Sequence, residues 1–243
     1  MQTPTFGGKR YFITFVFEKS HNCVVYLPRI KSEVADKFAN FVALAENQTN
    51  KRVKTFRCDN GGEYISGALA KYCADLVLVE KFTPPYMSQV NTVVECMNRT
   101  LVECARCMME HASLLKSHWG EAVTTATILR NRCPTLAVNT DMSPYQVWKG
   151  KKPVLKNLKV FSCHAFVQVS KEKRSKFDAR SVRCCLLGYT EHKKAYHFEE
   201  IEGGRELVSR DAQLTEDVFD SGSRDYCCDQ DAYEDNGDTD KDI

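Results

Sequence analysis

The stretch that decides the fold opens as Arg57-Cys58-Asp59-Asn60-Gly61-Gly62-Glu63-Tyr64 and closes as Pro84-Pro85-Tyr86-Met87-Ser88-Gln89-Val90-Asn91-Thr92-Val93-Val94-Glu95-Cys96-Met97-Asn98-Arg99-Thr100. Its first part reads as a strand that stops at a carboxylate. Val53, Thr55 and Phe56 favour extended backbone, and Asn60-Gly61-Gly62 after Asp59 is strong turn chemistry. Its last part reads as a loop ended by a helix. Pro84-Pro85 stops a strand over residues 77–83, and Val94, Met97, Leu101, Ala105 and Met108 then recur at helical spacing. Glu95 falls in the first turn of that helix, beside the apolar stripe, with Asn98 and Arg99 on its face at i+3 and i+4.

A strand-end Asp59 and a first-turn Glu95 can meet over the C-terminal edge of a sheet, where open α/β folds place their sites. Two carboxylates held close repel unless a cation lies between them, and hard oxygen donors suit Mg²⁺ or Mn²⁺. That is a setting for metal-assisted phosphoryl transfer. Spacing alone favours the plainer reading, a turn aspartate and a solvated or capping glutamate.

Outward from this stretch, Tyr11-Phe12-Ile13-Thr14-Phe15-Val16-Phe17 and Cys23-Val24-Val25-Tyr26-Leu27 read as two strands joined by a polar turn. A helix is expected over residues 32–47, capped by Ser32, with Val34, Phe38, Phe41, Val42 and Ala45 on one face. A short helix is expected over 66–76 and a longer one over 117–132, where Trp119, Ala122, Val123, Ala126 and Leu129 share a face and Trp119 reads as core. The order strand, strand, helix, strand, helix, strand, helix describes an α/β sheet. Residues 134–153 form a connector, with Pro144 opening a helix of one or two turns. Short β-like runs follow at 158–161, 165–169, 183–189, 195–198 and 206–209, as expected of a small β-rich module.

Apolar content of 43% and charged content of 27% over 243 residues are those of a globular protein with room for one good-sized domain and a smaller one. No apolar run reaches the length of a membrane span, and the first residues do not read as a signal peptide. A net charge of +2 hides an asymmetry, because residues 216–243 hold eleven acidic residues against two basic, leaving −9 there and +11 elsewhere. A basic body favours a polyanion partner, and an acidic tail reads as disordered and solvating. The twelve cysteines follow no framework spacing and read as reduced thiols of a cytosolic or nuclear protein. Cys104 and Cys107 have a metal-ligand spacing but no second pair at zinc-finger distance, so core cysteines are the better reading. His164 and His197 fall inside apolar strands and read as structural. Lys149-Gly150-Lys151-Lys152 and the basic run over 171–176 could lie on phosphates or be solvated faces.

The words Asp59-Asn60-Gly61-Gly62-Glu63-Tyr64 and Pro84 to Thr100 resemble the second and third acidic positions of retroviral-type integrases, with thirty-five residues between Asp59 and Glu95. The surrounding text resembles the integrase region of copia-type LTR retrotransposon Pol polyproteins, through Trp119-Gly120-Glu121-Ala122-Val123, Asn131-Arg132-Cys133-Pro134-Thr135, Leu187-Gly188-Tyr189 and Ser209-Arg210-Asp211. The resemblance covers residues 2–217, most of the chain. It implies an RNase H-like α/β core over 1–133, the connector, a β-rich post-core module over 154–215, and the tail from 216. It further implies two Mg²⁺ (or Mn²⁺) ions held by carboxylates, with Asp59 and Glu95 as catalytic ligands. Asn60, Gln89, Asn91, Asn98 and Arg99 would position DNA, with Gly61 shaping the turn. The implied function is 3′-processing and strand transfer of element cDNA, by a homo-oligomer acting in the nucleus alongside other parts of a Pol polyprotein.

The chain also departs from the pattern. The family's first catalytic Asp lies on a first strand preceding this hairpin, and residues 1–10 contain no acid, so that carboxylate and its strand are expected to be missing. The turn that usually reads Asp-Asp-Tyr-Ser-Arg is Phe17-Glu18-Lys19-Ser20-His21, with Glu18 a possible substitute ligand, and the usual Gly and Arg beside the third acid are Thr92 and Cys96. The zinc module that precedes many such cores is likewise expected to be missing. Two readings follow: an integrase region that strand-transfers only when an upstream Asp is supplied, or a relic repurposed to bind nucleic acid without turnover. A sheet without its middle strand would have unpaired edges, so the isolated chain is expected to be marginally stable or to need a partner.

Overall fold

The computed structural model describes residues 1–58, 67–82, 92–138, 141–170, 172, 174–190 and 195–219. β1 (Ile13–Val16) pairs antiparallel with β2 (Cys23–Tyr26), with Ile13 opposite Tyr26 and Val16 opposite Cys23. Alternation along β1 sends its side chains to two different layers. Ile13 and Phe15 join Val34, Phe38, Phe41 and Val42 of α1 (Val34–Thr49) and Leu69 and Cys73 of α2 (Gly67–Asp75) in one core. On the other side, Val16 packs with Cys23, Met97, Leu101 and Ala126, which belong to β2, α3 (Thr92–His111) and α4 (Trp119–Arg132). The apolar stripe expected on α3 is therefore its buried seam.

The expected order of strands and helices is the observed one. β3 (Thr55–Cys58) follows α1 and pairs parallel with β4 (Val79–Phe82), which follows α2. The two pairs are not joined into one sheet among the described residues. α5 (Pro144–Lys149) has the expected Pro at its start, capped by Ser143, whose hydroxyl accepts the Gln146 N–H at 3.3 Å. Beyond it lies a five-stranded antiparallel module in the order β8-β7-β6-β5-β9. Its strands are β5 (Cys163–Gln168), β6 (Ser181–Tyr189), β7 (Tyr196–Glu200), β8 (Glu206–Ser209) and β9 (Ala212–Phe219). Cys163, Ala165, Val167, Cys184, Leu186 and Phe198 fill its core. The α/β body followed by a small β-rich module is thus the architecture found.

Four expectations need correction. The chain enters α1 through a 3-10 turn at Lys31–Glu33, so Glu33 rather than Ser32 precedes the helix, and its carboxylate accepts the N–H groups of Arg29 and Ile30. Residues 158–161 are not a strand, because side chains take over their backbone groups. Lys159 N–H donates to the Tyr189 hydroxyl at 2.9 Å, that hydroxyl donates to Lys159 O at 3.0 Å, and Val160 N–H donates to Glu216 at 3.1 Å. Glu216 and its neighbours through Phe219, read as the start of the acidic tail, lie in β9; residues 220–243 are outside the described residues. Cys104 and Cys107 are exposed on α3 rather than in the core, because Leu101 and Ala105 occupy its buried side.

Candidate functional site

A cleft of about 1050 Å³ runs between β1 and β3. Five elements wall it, each brought there by the layering just described. β1 and β3 supply its two sides, Phe38 and Phe41 of α1 its floor, and Val94, Glu95 and Asn98 of α3 its opposite wall. Trp148 of α5 closes one end, tilted by 31° against Phe17 with ring centroids 3.8 Å apart and donating its indole N–H to Gln48 at 2.8 Å.

Glu95 and Asn98 therefore share one cleft, as their i, i+3 spacing on α3 predicts. Glu95 is exposed, and Arg99, exposed on the next position, is not among the lining residues. Asn98 presents a buried side-chain oxygen, Oδ1, with no hydrogen-bond partner among the described residues. Cys58 also lines the cleft, at the C-terminal end of β3 and immediately before Asp59. Asp59, Asn60, Gly61, Gln89 and Asn91 themselves lie outside the described residues. Glu18 lines the cleft too, with its carboxylate 3.6 Å from Arg57 Nη1 and the side chain 87% exposed, so solvent screens the pair.

An exposed carboxylate and an orphaned amide oxygen one helical turn apart are donors of the type a hard cation takes. Among the described residues no three His, Cys, Asp or Glu side chains are grouped to hold an ion by themselves. The basic rim was only partly foreseen. Lys149 of the basic run lines the cleft, and burial next to Lys151 pulls its ammonium below the usual lysine range. Lys19 from the β1–β2 turn, Lys51 and Arg52 from the connection after α1 and Arg57 from β3 join it, and no spacing in the sequence signals that convergence.

A second, smaller cavity of about 620 Å³ lies where the start of α4 meets the β-rich module, lined by His118, Glu121, Arg183 and Glu199 among others. His118 Nε2 lies 3.0 Å from Glu199 Oε2, and both residues are buried. Glu121 is pushed above the usual carboxylate range by burial, with Oε2 lacking a hydrogen-bond partner among the described residues. The sequence offered no sign of this junction, since His118 and Glu199 are far apart in the chain.

The Retroviral polymerase SH3-like domain family matches residues 163–226, which takes in the five-stranded module. Among curated proteins, the Retrovirus-related Pol polyprotein from transposon TNT 1-94 of Nicotiana tabacum is 39% identical over 89% of this chain and 16% of its own length. Its counterparts from transposons RE2 and RE1 of Arabidopsis thaliana are 32% and 31% identical over 86% of the chain. The homologues of this chain are thus retrovirus-related Pol polyproteins of plant transposons, matched over most of its length. The chain spans only 14% to 16% of the length of those Pol polyproteins. Among solved structures, one chain of the cryo-EM structure of the simian T-cell lymphotropic virus intasome in complex with PP2A regulatory subunit B56 gamma aligns with a TM-score of 0.49. It is 15% identical, over 84% of this chain and 72% of its own. Among the described residues no helix is long and apolar enough to cross a membrane.

Proposed function

We propose that this chain is the integrase region of a retrotransposon Pol polyprotein, with residues 1–133 as its core, and that the cleft is where element DNA is processed and joined to target DNA. The observation that carries this reading is that Glu95, Asn98 and the residue preceding Asp59 open onto one cleft, at the C-terminal end of a parallel strand pair. Divalent Mg²⁺ or Mn²⁺ bound there would polarise the scissile phosphate and lower the pKa of the attacking hydroxyl or water. Asp59 and Glu95 are the carboxylates that would hold it. Asn98, with its unpartnered oxygen, would orient a donor on the nucleic acid or complete the ligand set. Arg99 and the basic rim would neutralise phosphates, and the amides of Asn60, Gln89 and Asn91 would hydrogen-bond the DNA. Assembly as a homo-oligomer with other Pol segments in the nucleus belongs to the same proposal.

The test is a Mn²⁺-dependent strand-transfer and disintegration assay on this chain and on a longer product of its reading frame, each with Asp59→Asn and Glu95→Gln versions. Metal-dependent joining by the longer product that drops to background in both variants supports the reading. Joining that survives either substitution removes that residue from the site. No joining by either product, with salt-sensitive DNA binding retained, replaces catalysis with a binding role.

A further inference from the structure

We propose that the cavity where the start of α4 meets β7 and β8 binds a linear aliphatic polyamine, its ammonium groups on glutamates and its methylene spacers on apolar walls. Among the described lining residues, Glu121, Glu199, Glu202 and Glu206 face one permanent cation, Arg183. Acidic side chains alone would make only a solvated patch. The strand register and a buried orphan oxygen give this one the character of a site that lacks a cation.

Glu199 and Glu206 stand directly opposite each other across β7 and β8, so their side chains share one face at about 5 Å between Cβ atoms. Like charges in that position repel. Glu199 has the His118 ring at 3.0 Å and Glu206 the His197 ring at 3.3 Å, and an imidazole is a cation only when protonated. Glu121 adds a further demand, because its Oε2 is buried in the cavity wall with no hydrogen-bond partner among the described residues. Burial raises its carboxyl pKa and Glu206 adds to the rise, against His118 and His197. A positively charged N–H donor would satisfy that oxygen and relieve the opposed pair.

The walls define the shape of the occupant. Among the described residues no three His, Cys, Asp or Glu side chains are grouped to hold a metal ion, so the negative charge is spread along the cavity rather than focused on a point. A cation that matches it carries several charges at intervals. Phe6, Leu115, Leu187 and Ile201 supply apolar surface beside the carboxylates, where methylene spacers would lie as lysine stems do on protein surfaces. The Phe6 ring, 61% exposed and T-shaped against His118 at 4.9 Å, adds an aromatic surface that an ammonium favours. A volume of about 620 Å³ falls in the range of small-molecule sites, roughly 300–1,000 Å³. A single lysine or arginine side chain would bring one charge to this set of carboxylates and leave most of it unmet.

The inference is independent of whether DNA is joined in the cleft, and the full chain free of nucleic acid tests it. Spermidine is titrated calorimetrically at about 0.15 M salt, where attraction between distant charges is screened. Binding should saturate at one molecule per chain. Glu206→Gln, at a side chain 58% exposed, should weaken it about tenfold or more, and Arg183→Gln should tighten it. No saturable binding overturns the proposal. Unchanged affinity in Glu206→Gln overturns it too, because spermidine would then sit on the acidic residues after 219. Equal affinity for trilysine would make a basic peptide the occupant. Displacement of spermidine by an equal concentration of Mg²⁺ would make the cavity a small-ion site. Either of these results also overturns the polyamine assignment.

Discussion

At the scale of single residues, Asn131 does more than its place in a matching sequence word conveys. Its amide accepts from Cys23 N–H at 2.9 Å and donates to Cys23 O at 2.7 Å, tying α4 to β2 at both backbone groups of one residue. Asn131→Ala leaves both groups buried without that partner and should cost about 1–3 kcal/mol in urea unfolding, whereas a loss below 0.5 kcal/mol, on the order of a surface change, would mean the clamp is idle. Glu121 works in the other direction. Burial raises its pKa in the folded protein, with His118 and His197 opposing and Glu206 adding to the rise. The folded state then keeps a proton that the unfolded chain releases near the ordinary glutamate value, about 4.3. Its contribution to stability is greatest below that value and falls as pH rises through the raised one. Glu121→Gln should therefore raise the melting temperature at pH 7, with the gain vanishing as pH falls toward 4; a pH-independent effect would refute the sign.

At the scale of elements, α1 and α3 were legible because each buries one face, and a 3.6-residue period records a single buried face. α4 was only half legible. Its apolar face was foreseen, but Thr125, Thr127 and Asn131 on its other sides are buried too, Thr125 against β6 of the β-rich module and Asn131 against β2. Polar residues under a second layer leave no hydrophobic signal. β9 was missed for a related reason, since Glu216 and Asp217 read as the beginning of a solvated tail while the strand holds them on the edge of a sheet. The candidate site shows the same division. Glu95 and Asn98 could be placed on one face from spacing alone, whereas the aromatic floor and basic rim join elements distant in sequence. Gly188 marks where α4 and β6 come closest. A Cβ there would sit 2.9 Å from Thr125 Oγ1, and its φ of 151° already disfavours side chains. Gly188→Ala should destabilise by about 1–3 kcal/mol, and adding Thr125→Ala should recover the steric share but not the backbone share. Equal losses in the single and double variants, read from the same unfolding curves, would place the whole cost in the backbone.

At the scale of the molecule, the question is what makes an α/β body and a separate five-stranded module behave as one unit. Their junction is small and partly polar, as interdomain contacts are. Thr125 donates to Leu187 O at 3.4 Å, but the strongest tie is His118, 1% exposed, against Glu199, 6% exposed. The imidazole also has Leu115 O 3.3 Å from Nδ1, so both ring nitrogens face oxygen, and the Cys185 thiol lies 3.8 Å from the same Glu199 carboxylate. A buried charge is tolerated only with such partners. His118→Ala removes the imidazole from beside a carboxylate that stays buried, and should cost about 3–5 kcal/mol. Because the loss falls at the junction rather than in either core, calorimetry should then resolve two transitions, against an expected one for the parent protein. Glu199→Gln keeps an acceptor for His118 without burying a charge, so it should preserve a single transition. Two transitions in both variants would mean that shape at the junction, and not this pair, couples the halves. One unshifted transition in His118→Ala would mean the pair couples nothing.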